Sequence, residues 1–260
     1  MNAIELDGIE KSYGTGQKVI DGLTLRVPEA RLFGFLGING AGKTTTIRIL
    51  AGLQPADAGR VRILGADVVP GRIEHLGRIG FVLDEPLYFD WMTPEEYWEF
   101  AGGMYGLREG TISVRIKELL EFFDLGDKRD EPISTLSTGM KKKVSLGAAL
   151  IHRPKLIVLD EPLEGIDALA AIAIKEALMI AAAQGTTVFL TSHVLDTVER
   201  LCTDVAILHR GAIVLQCQTS SVRSLTHPTL PSQTFASLEE LFVATVSDGG
   251  HRDRLRFLEQ

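Results

Sequence analysis

The apolar positions of this chain follow two kinds of pattern, short continuous runs and longer runs with helical spacing. A continuous apolar run of about four to eight residues is typical of a buried strand. Helical runs lie between such strands in the second half of the chain, at Leu169–Ala183 and Val194–Leu201. Strands that alternate with helices predict an α/β fold with a parallel sheet. The runs that we assign to this sheet are Leu32–Leu36, Leu156–Leu159, Thr187–Leu190 and Val205–Leu208.

Two other regions depart from this alternation. Ala3–Leu6 and Leu23–Val27 predict strands that we assign to an N-terminal antiparallel β part. From Thr93-Pro94 to about Ile151 the pattern is helical, and a proline followed by two glutamates is a typical helix start. We therefore expect a helical subdomain, at about residues 88–151, inserted into the α/β core.

Composition and charge restrict the class of protein. The 260 residues are 45% hydrophobic and 23% charged, as in an ordinary globular protein. The net charge of −7 argues against a nucleic-acid partner. Two cysteines without metal-ligand spacing indicate a reducing compartment. We expect no signal peptide, because the N-terminus has neither a basic start nor an apolar stretch. We also expect no membrane span, because Lys175 and Glu176 interrupt the most apolar helix candidate.

A phosphate-binding loop is the clearest chemical motif. Gly37–Thr44 reads GINGAGKT and fits the pattern G-x-x-x-x-G-K-[ST] at every defined position. Its glycines let backbone N–H groups turn toward an anion, and the helix that follows adds positive partial charge. In this pattern Lys43 reaches the β- and γ-phosphates, and Thr44 can bind Mg²⁺. The alternative is a glycine-rich turn before a lysine, which the flanking strand and helix disfavour.

A second motif supplies carboxylates. The apolar run Leu156–Leu159 ends directly in Asp160 and Glu161. In an open parallel sheet, ligands bind at the carboxyl ends of the strands. Asp160 is placed to hold Mg²⁺, directly or through water, and Glu161 to orient or deprotonate an attacking water. A solvated acidic turn is the alternative, and the phosphate loop in the same chain disfavours it.

The segment Leu136–Lys143, LSTGMKKK, resembles the LSGGQ signature of ATP-binding-cassette (ABC) ATPases. Thr138 stands where the signature has Gly, and Met140 where it has Gln. Ser137 can cap the following helix, and its hydroxyl and the exposed N–H groups can also receive a phosphate. A helix cap followed by solvated lysines is the alternative. The position of the segment shortly before the acidic strand favours the signature.

Other elements of the family follow in order. Tyr13 lies in a segment that resembles the one whose aromatic ring stacks on adenine, although a lone tyrosine is more often a packing residue. Glu164–Asp167 resembles the loop that carries an aspartate, here Asp167, across a dimer interface. His193 resembles the switch histidine that hydrogen-bonds the γ-phosphate. A histidine at a strand end is otherwise usually structural.

One loop departs from the family pattern. Members often carry Gln in the loop after the strand Ile79–Val82, where the side chain meets Mg²⁺ and the coupling surface. The aligned residue here is Asp84 or Glu85. A carboxylate can bind Mg²⁺ but, unlike an amide, has no hydrogen to donate. A charged surface turn before Pro86 is the equal alternative.

The resemblance covers roughly residues 3–216 and implies ATP and Mg²⁺ as cofactors. It assigns catalysis to Lys43, Glu161 and His193, and Mg²⁺ binding to Thr44, Asp160 and Asp84. The residues that it places on ATP are Tyr13, Gly37, Asn39, Gly40, Ala41, Gly42, Lys43, Thr44, Thr45, Ser137, Gly139 and Asp167.

The resemblance also implies a domain division and partners. Residues 1–218 form a nucleotide-binding domain, and residues 219–260 form a linker and helical tail. Family members pair head to tail, so we expect a homodimer or a pair with a homologous subunit. A single cassette without spans resembles the ATPase subunit of bacterial exporters of drugs, antibiotics, lipids or ions. Such a subunit is cytoplasmic and peripheral on the inner face of the membrane, and its integral-membrane permease is a separate polypeptide.

The resemblance places permease docking on the Phe81–Pro86 loop and the helices of residues 94–124. An apolar groove with Tyr88, Phe89, Trp91 and Met92 would suit a permease helix, or these side chains pack the core of the subdomain itself. A competing function is a soluble ABC ATPase in protein or cofactor assembly.

Overall fold

The structure, a computed structural model, describes residues 1–14, 16–69, 71, 73, 75–84, 88–224 and 235–246. The strands in these residues are β1 (Asn2–Tyr13), β2 (Gln17–Pro28), β3 (Leu32–Gly37), β4 (Ala58–Ile63), β5 (Ala66–Asp67), β6 (Ile79–Val82), β7 (Leu156–Leu159), β8 (Thr187–Ser192), β9 (Asp204–His209) and β10 (Ala212–Gln218). The α-helices are α1 (Lys43–Leu50), α2 (Pro94–Met104), α3 (Glu109–Phe122), α4 (Thr138–Leu150), α5 (Ala168–Ala183), α6 (Leu195–Leu201) and α7 (Leu238–Val246).

The strands form two sheets. The larger sheet has the order β10-β9-β3-β8-β7-β6. Its strands are parallel except for β10, which pairs antiparallel with β9. The smaller sheet has the order β2-β1-β4-β5 and is antiparallel throughout. This topology confirms the predicted parallel α/β core with an N-terminal antiparallel β part.

The buried strands of the larger sheet send alternate side chains into two apolar cores. Phe33 and Phe35 of β3 join the core shared with the antiparallel sheet and α1. Leu32 and Leu36 of the same strand join the core on the helical side. The rings of Phe33 and Phe35 lie 5.9 and 5.2 Å from the ring of Phe189 on β8. Because both faces are covered, these strands read as continuous apolar runs in the sequence.

The helices α2, α3 and α4 lie in the segment where the sequence predicts an inserted helical subdomain. A capping box begins α2, since Thr93 and Glu96 each accept the backbone N–H of the other. The fully buried Trp98 of α2 donates a hydrogen bond from Nε1 to the carbonyl of Val144 at 2.8 Å. This contact ties α2 to α4, the helix that begins at the signature-like segment.

The C-terminal helix packs on α6, the helix that follows His193. Phe235, Leu238 and Leu241 are buried in the core on the helical side of the sheet. The carboxylate of Glu199 on α6 accepts the backbone N–H of Leu238 at 2.9 Å. The described part of the tail is therefore anchored beside the last strands of the sheet.

The predicted elements agree with the structure except at their ends and at two strands. The predicted bounds of β6 and β7 match those of the structure, whereas β1 and β2 each extend well beyond the predicted Ala3–Leu6 and Leu23–Val27 at one end. The short β5 and the longer β10 are not predicted from the sequence. In the predicted linker and tail, residues 225–234 and 247–260 lie outside the described residues, as does Glu85. Among the helices that are described, none combines the length and the apolar character needed to span a bilayer.

Candidate functional site

Four neighbouring strands, β3, β8, β7 and β6, end at one edge of the parallel sheet, and a cleft of about 450 Å³ lies there. The cleft brings together the phosphate loop, the end of the acidic strand, His193 and Asp84, as the sequence predicts. Its lining consists of Val19, Ile38, Asn39, Gly40, Gly42, Lys43, Thr44, Thr45, Asp84, Glu161, Glu164 and His193.

The phosphate loop depends on glycines for two different reasons. Gly37 ends β3, where a Cβ would lie 2.8 Å from the carbonyl oxygen of Leu208. Gly40 and Gly42 have φ values of +80° and +110°, which L side chains rarely adopt. Gly42 is also the N-terminal cap of α1, so the free N–H groups of that helix face the loop. Ala41 packs into the core behind the loop and does not line the cleft.

Lys43 holds its ammonium group inside the cleft. Its Nζ donates to the carbonyl of Gly37 at 2.8 Å and lies 3.6 Å from Oε1 of Glu161. The residue is only 7% exposed, so its charge faces the loop and the carboxylate more than bulk solvent. A cation in this position is aimed at the phosphates of a nucleotide held by the loop.

Glu161 is the centre of the predicted catalytic group. Its Oε2 lies 3.0 Å from Nδ1 of His193 and accepts the backbone N–H of His193 at 3.3 Å. The residue has a φ of +45°, a left-handed conformation that is uncommon for a non-glycine residue. Such conformations cluster at functional sites, where the surrounding structure enforces them. The buried carboxylate is thus held between Lys43 and His193.

Asp160 and Glu161 are fixed by one hydroxyl group from β8. Oγ1 of Thr191 donates to Oδ1 of Asp160 at 2.6 Å. Oγ1 of Thr191 also accepts the backbone N–H of Glu161 at 2.9 Å. Thr191 and Asp160 are both buried. The second carboxylate oxygen of Asp160, Oδ2, is also buried and has no hydrogen-bond partner among the described residues.

Two more carboxylates face the cleft. Asp84, one of the two residues that could stand for the family's glutamine, is among the residues that line it. Glu164 also lines it, and one oxygen of this residue lies within 4.8 Å of ligand atoms of both Glu161 and His193. The cleft therefore carries more negative charge than the sequence analysis assigned to it.

The signature-like segment lies outside the residues that line this cleft. Ser137 caps α4 by accepting the backbone N–H of Met140 at 3.3 Å. Gly139 packs closely on the start of α5, because a Cβ there would lie 2.8 Å from Cβ of Ala170 and 2.9 Å from Oδ2 of Asp167. Asp167 caps α5 through the N–H of Ala170, and that hydrogen bond lowers the pKa of the Asp167 carboxyl group. Ser137 and Asp167 are therefore exposed away from the cleft, and Gly139 is buried at the contact between α4 and α5.

Tyr13 is likewise separate from the lining of the cleft. Its hydroxyl donates to Oε1 of Gln54 at 2.7 Å, and the residue is 44% exposed. Nearby, Lys11 and Asp57 form an ion pair of 2.7 Å that lowers the pKa of the aspartate. The hydrogen bond to Gln54 thus fixes the hydroxyl group of Tyr13, which is the last residue of β1.

The residues of the cleft fit a nucleotide phosphate chain and a divalent cation. The free N–H groups at the start of α1 and the ammonium of Lys43 suit an anion. The orphaned Oδ2 of Asp160 needs a partner, and a hydrated Mg²⁺ would supply one. Thr44 and Asp84, which line the cleft, are the other two side chains predicted to offer oxygen ligands to the cation.

The phosphate loop, the acidic strand end and the parallel sheet are those of a phosphate-loop nucleotide-binding protein. The sequence profile of the family described as ABC transporter matches residues 20–164, more than half of the chain. The chain belongs to the ABC transporter family, and it is an ATP-binding cassette of the kind that hydrolyses ATP.

Relatives and solved structures agree with this assignment. The linearmycin resistance ATP-binding protein LnrL of Bacillus subtilis (strain 168) is 32% identical over 95% of this chain and 80% of its own length. The daunorubicin/doxorubicin resistance ATP-binding protein DrrA of Streptomyces peucetius is 34% identical over 96% of this chain and 78% of its own length. The Nod factor export ATP-binding protein I of Ralstonia nicotianae (strain ATCC BAA-1114 / GMI1000) is 37% identical over 82% of this chain and 66% of its own length. A solved ATP-binding subunit of an ABC transporter has a TM-score of 0.84 at 31% identity, over 94% of this chain and 99% of that one.

Three contributors to the site were not identified from the sequence. Thr191 had no assigned role, although a polar residue just before His193 in an apolar strand was a usable signal. Glu164 was read only as part of the loop that leads to Asp167. Lys142 was interpreted as part of a lysine run, yet its Nζ donates to the carbonyls of Glu161 and Glu164 at 2.8 and 2.7 Å.

We expect Thr191→Val to reduce both stability and turnover. The substitution keeps the side-chain shape but leaves Asp160 and the Glu161 N–H without their buried partner, at a cost of about 1–3 kcal/mol. Urea denaturation and steady-state ATPase assays measure the two effects. Thr191→Ser retains the hydroxyl and serves as the matched control. Parental stability and turnover in the valine variant would show that this bridge has no role.

Proposed function

We propose that the chain is the ATP-hydrolysing subunit of an ABC exporter and that its permease is a separate polypeptide. The convergence of Lys43, Glu161 and His193 in one cleft carries the hydrolytic part of this proposal. Relatives named for antibiotic resistance and for Nod factor export support the direction of transport.

In the proposed reaction, Glu161 accepts a proton from the water that attacks the γ-phosphate. Its carboxylate is buried and already held by His193, so little reorganisation is needed before the proton transfer. Lys43 lies between that carboxylate and the phosphate loop, and its charge stabilises the phosphate oxygens as they become more negative. His193 is half exposed at the cleft, where its other ring nitrogen is free to bind the γ-phosphate.

Thr44, Asp160 and Asp84 are the residues that we assign to Mg²⁺. When bound, Mg²⁺ neutralises charge on the β- and γ-phosphates. Thr44 and Asp84 line the cleft, and Asp160 offers its unpartnered Oδ2 from the end of β7. Thr191 fixes the other oxygen of Asp160 and so orients the carboxylate.

The separation of Ser137, Gly139 and Asp167 from the cleft favours a shared site. Ser137 and Asp167 are exposed at the adjoining starts of α4 and α5, and Gly139 is buried at the contact of these two helices. In a head-to-tail pair related by a two-fold axis, this part of one chain covers the nucleotide of the other, and two equivalent sites result. ATP then holds the pair closed because it contacts both chains, and hydrolysis removes those contacts.

An exposed aromatic patch on the helical subdomain is our candidate for permease docking. The patch consists of Phe89, Trp91, Phe100 and Met104, of which Trp91 is 70% exposed and Met104 is 73% exposed. The ring of Phe89 contacts those of Trp91 and Phe100, with centroids 5.9 and 5.4 Å apart. Such a surface suits an amphipathic helix of a membrane protein. Docking there would place the chain on the cytoplasmic face of the membrane.

The rest of the predicted groove packs inward. Tyr88 and Met92 are half-buried against the core of the helical side, and the ring of Tyr88 lies 6.2 Å from that of Tyr97. Burial raises the pKa of the Tyr88 hydroxyl. The docking surface that we propose is therefore narrower than the groove expected from the sequence.

We expect Glu161→Gln to lower ATP turnover by about a hundredfold or more, since it removes the proposed general base. ATP binding should persist, and dimers with trapped ATP should accumulate in size-exclusion chromatography. Glu164→Gln removes the same charge from the same cleft and should cause a much smaller loss. Near-parental turnover of the Glu161 variant would refute the hydrolytic assignment.

A charged residue in the aromatic patch should release the chain from the membrane. We expect Trp91→Glu to move the protein from the membrane fraction to the supernatant in cells that express the whole transporter, with turnover of the isolated chain retained. Leu53→Glu, which alters a 66% exposed residue outside the patch, is the control. If the parental chain stays in the supernatant, a soluble assembly ATPase becomes the better assignment.

A further inference from the structure

One ammonium group holds the turn that follows β7. Nζ of Lys142 donates to the carbonyl of Glu161 at 2.8 Å and to the carbonyl of Glu164 at 2.7 Å. The backbone N–H of Glu164 also donates to the carbonyl of Glu161 at 3.2 Å, which closes the turn. Lys142 lies in α4, the helix that Ser137 caps. The signature helix and the turn that carries Glu161 are therefore joined directly.

Glu161 needs such support because of its backbone conformation. Its φ of +45° is left-handed, where a side chain crowds the backbone. Thr191 accepts its N–H, and its carbonyl accepts from Lys142 at 2.8 Å and from the backbone N–H of Glu164 at 3.2 Å. Without Lys142 the carbonyl would keep only the longer hydrogen bond, and the peptide could rotate and move the carboxylate away from Lys43 and His193.

The surroundings of Lys142 suit this role. The side chain is half-buried, and the desolvation lowers the pKa of its ammonium group, while the neighbouring carboxylates, that of Asp84 first among them, oppose the shift. An ammonium group has three donors, and two of them are used on these carbonyls. The next residue, Lys143, donates instead to the carbonyl of Phe123 at 2.8 Å, outside the cleft.

We propose that Lys142 is a positioning residue for ATP hydrolysis, which fixes the peptide of Glu161 and ties it to the helix that begins at Ser137. This inference rests on the proposed function, because Lys142 acts only through Glu161. In the proposed dimer, Glu161 acts on the nucleotide held by its own chain, and Ser137 contacts the nucleotide of the partner chain. Lys142 therefore connects the two composite sites within a single chain.

Single-turnover hydrolysis by the purified full-length chain tests this role. For Lys142→Met we expect hydrolysis to slow by about tenfold to a hundredfold, with the dissociation constant for Mg-ATP within about threefold of the parental value. Lys142→Arg should recover much of the rate, because a guanidinium group also donates to two carbonyls. Lys143→Met, which loses an ammonium-to-carbonyl hydrogen bond on the same helix, controls for general destabilisation.

A double variant separates positioning through Glu161 from other effects. If Lys142 acts through Glu161, then Lys142→Met should add no further loss in the Glu161→Gln background. The assignment of Lys142 would be overturned if the rate losses of the two single variants multiplied in the double variant. It would also be overturned if Lys143→Met slowed hydrolysis as much as Lys142→Met does. Near-parental turnover in Glu161→Gln alone is a different result, because it would refute the proposed function itself.

Discussion

The site depends above all on the order of the parallel strands. Because β8 lies between β3 and β7, the phosphate loop and the acidic strand end meet across its last residues. The register pairs Leu36 with Ser192, and Leu159 with Leu190. Thr191 and His193 therefore emerge level with Asp160 and Glu161. A slip of one residue would turn these side chains to opposite faces of the sheet.

This arrangement buries two carboxylates beside one buried cation. Asp160, Glu161 and Lys43 are buried, whereas Asp84, Glu164 and His193 at the same end of the sheet are exposed. A buried carboxylate is costly without a partner. Lys43 and His193 contact the carboxylate of Glu161, and Thr191 donates to that of Asp160. The unpartnered oxygen of Asp160 shows where a cation would add another partner.

The sequence predicted those parts of the site that are encoded locally. The phosphate loop and the Asp160-Glu161 pair are continuous motifs, and the flanking apolar runs fixed their place at strand ends. The bridge from Thr191 and the clamp from Lys142 were missed because they join residues far apart in the chain. No pattern of spacing reveals which carbonyl a lysine reaches. Strand β10 was missed because one of its faces is exposed and its pattern is mixed.

In the proposed dimer, each site takes Lys43 from one chain and Ser137 from the other. This arrangement can be tested by mixing two inactive variants, Lys43→Ala and Ser137→Asp, and assaying the mixture for ATPase activity. Aspartate keeps the helix cap but repels a phosphate. A mixed dimer would contain one site with both defects and one intact site. The account predicts turnover well above the sum of the separate variants. No recovery, although native mass spectrometry shows mixed dimers, would contradict it.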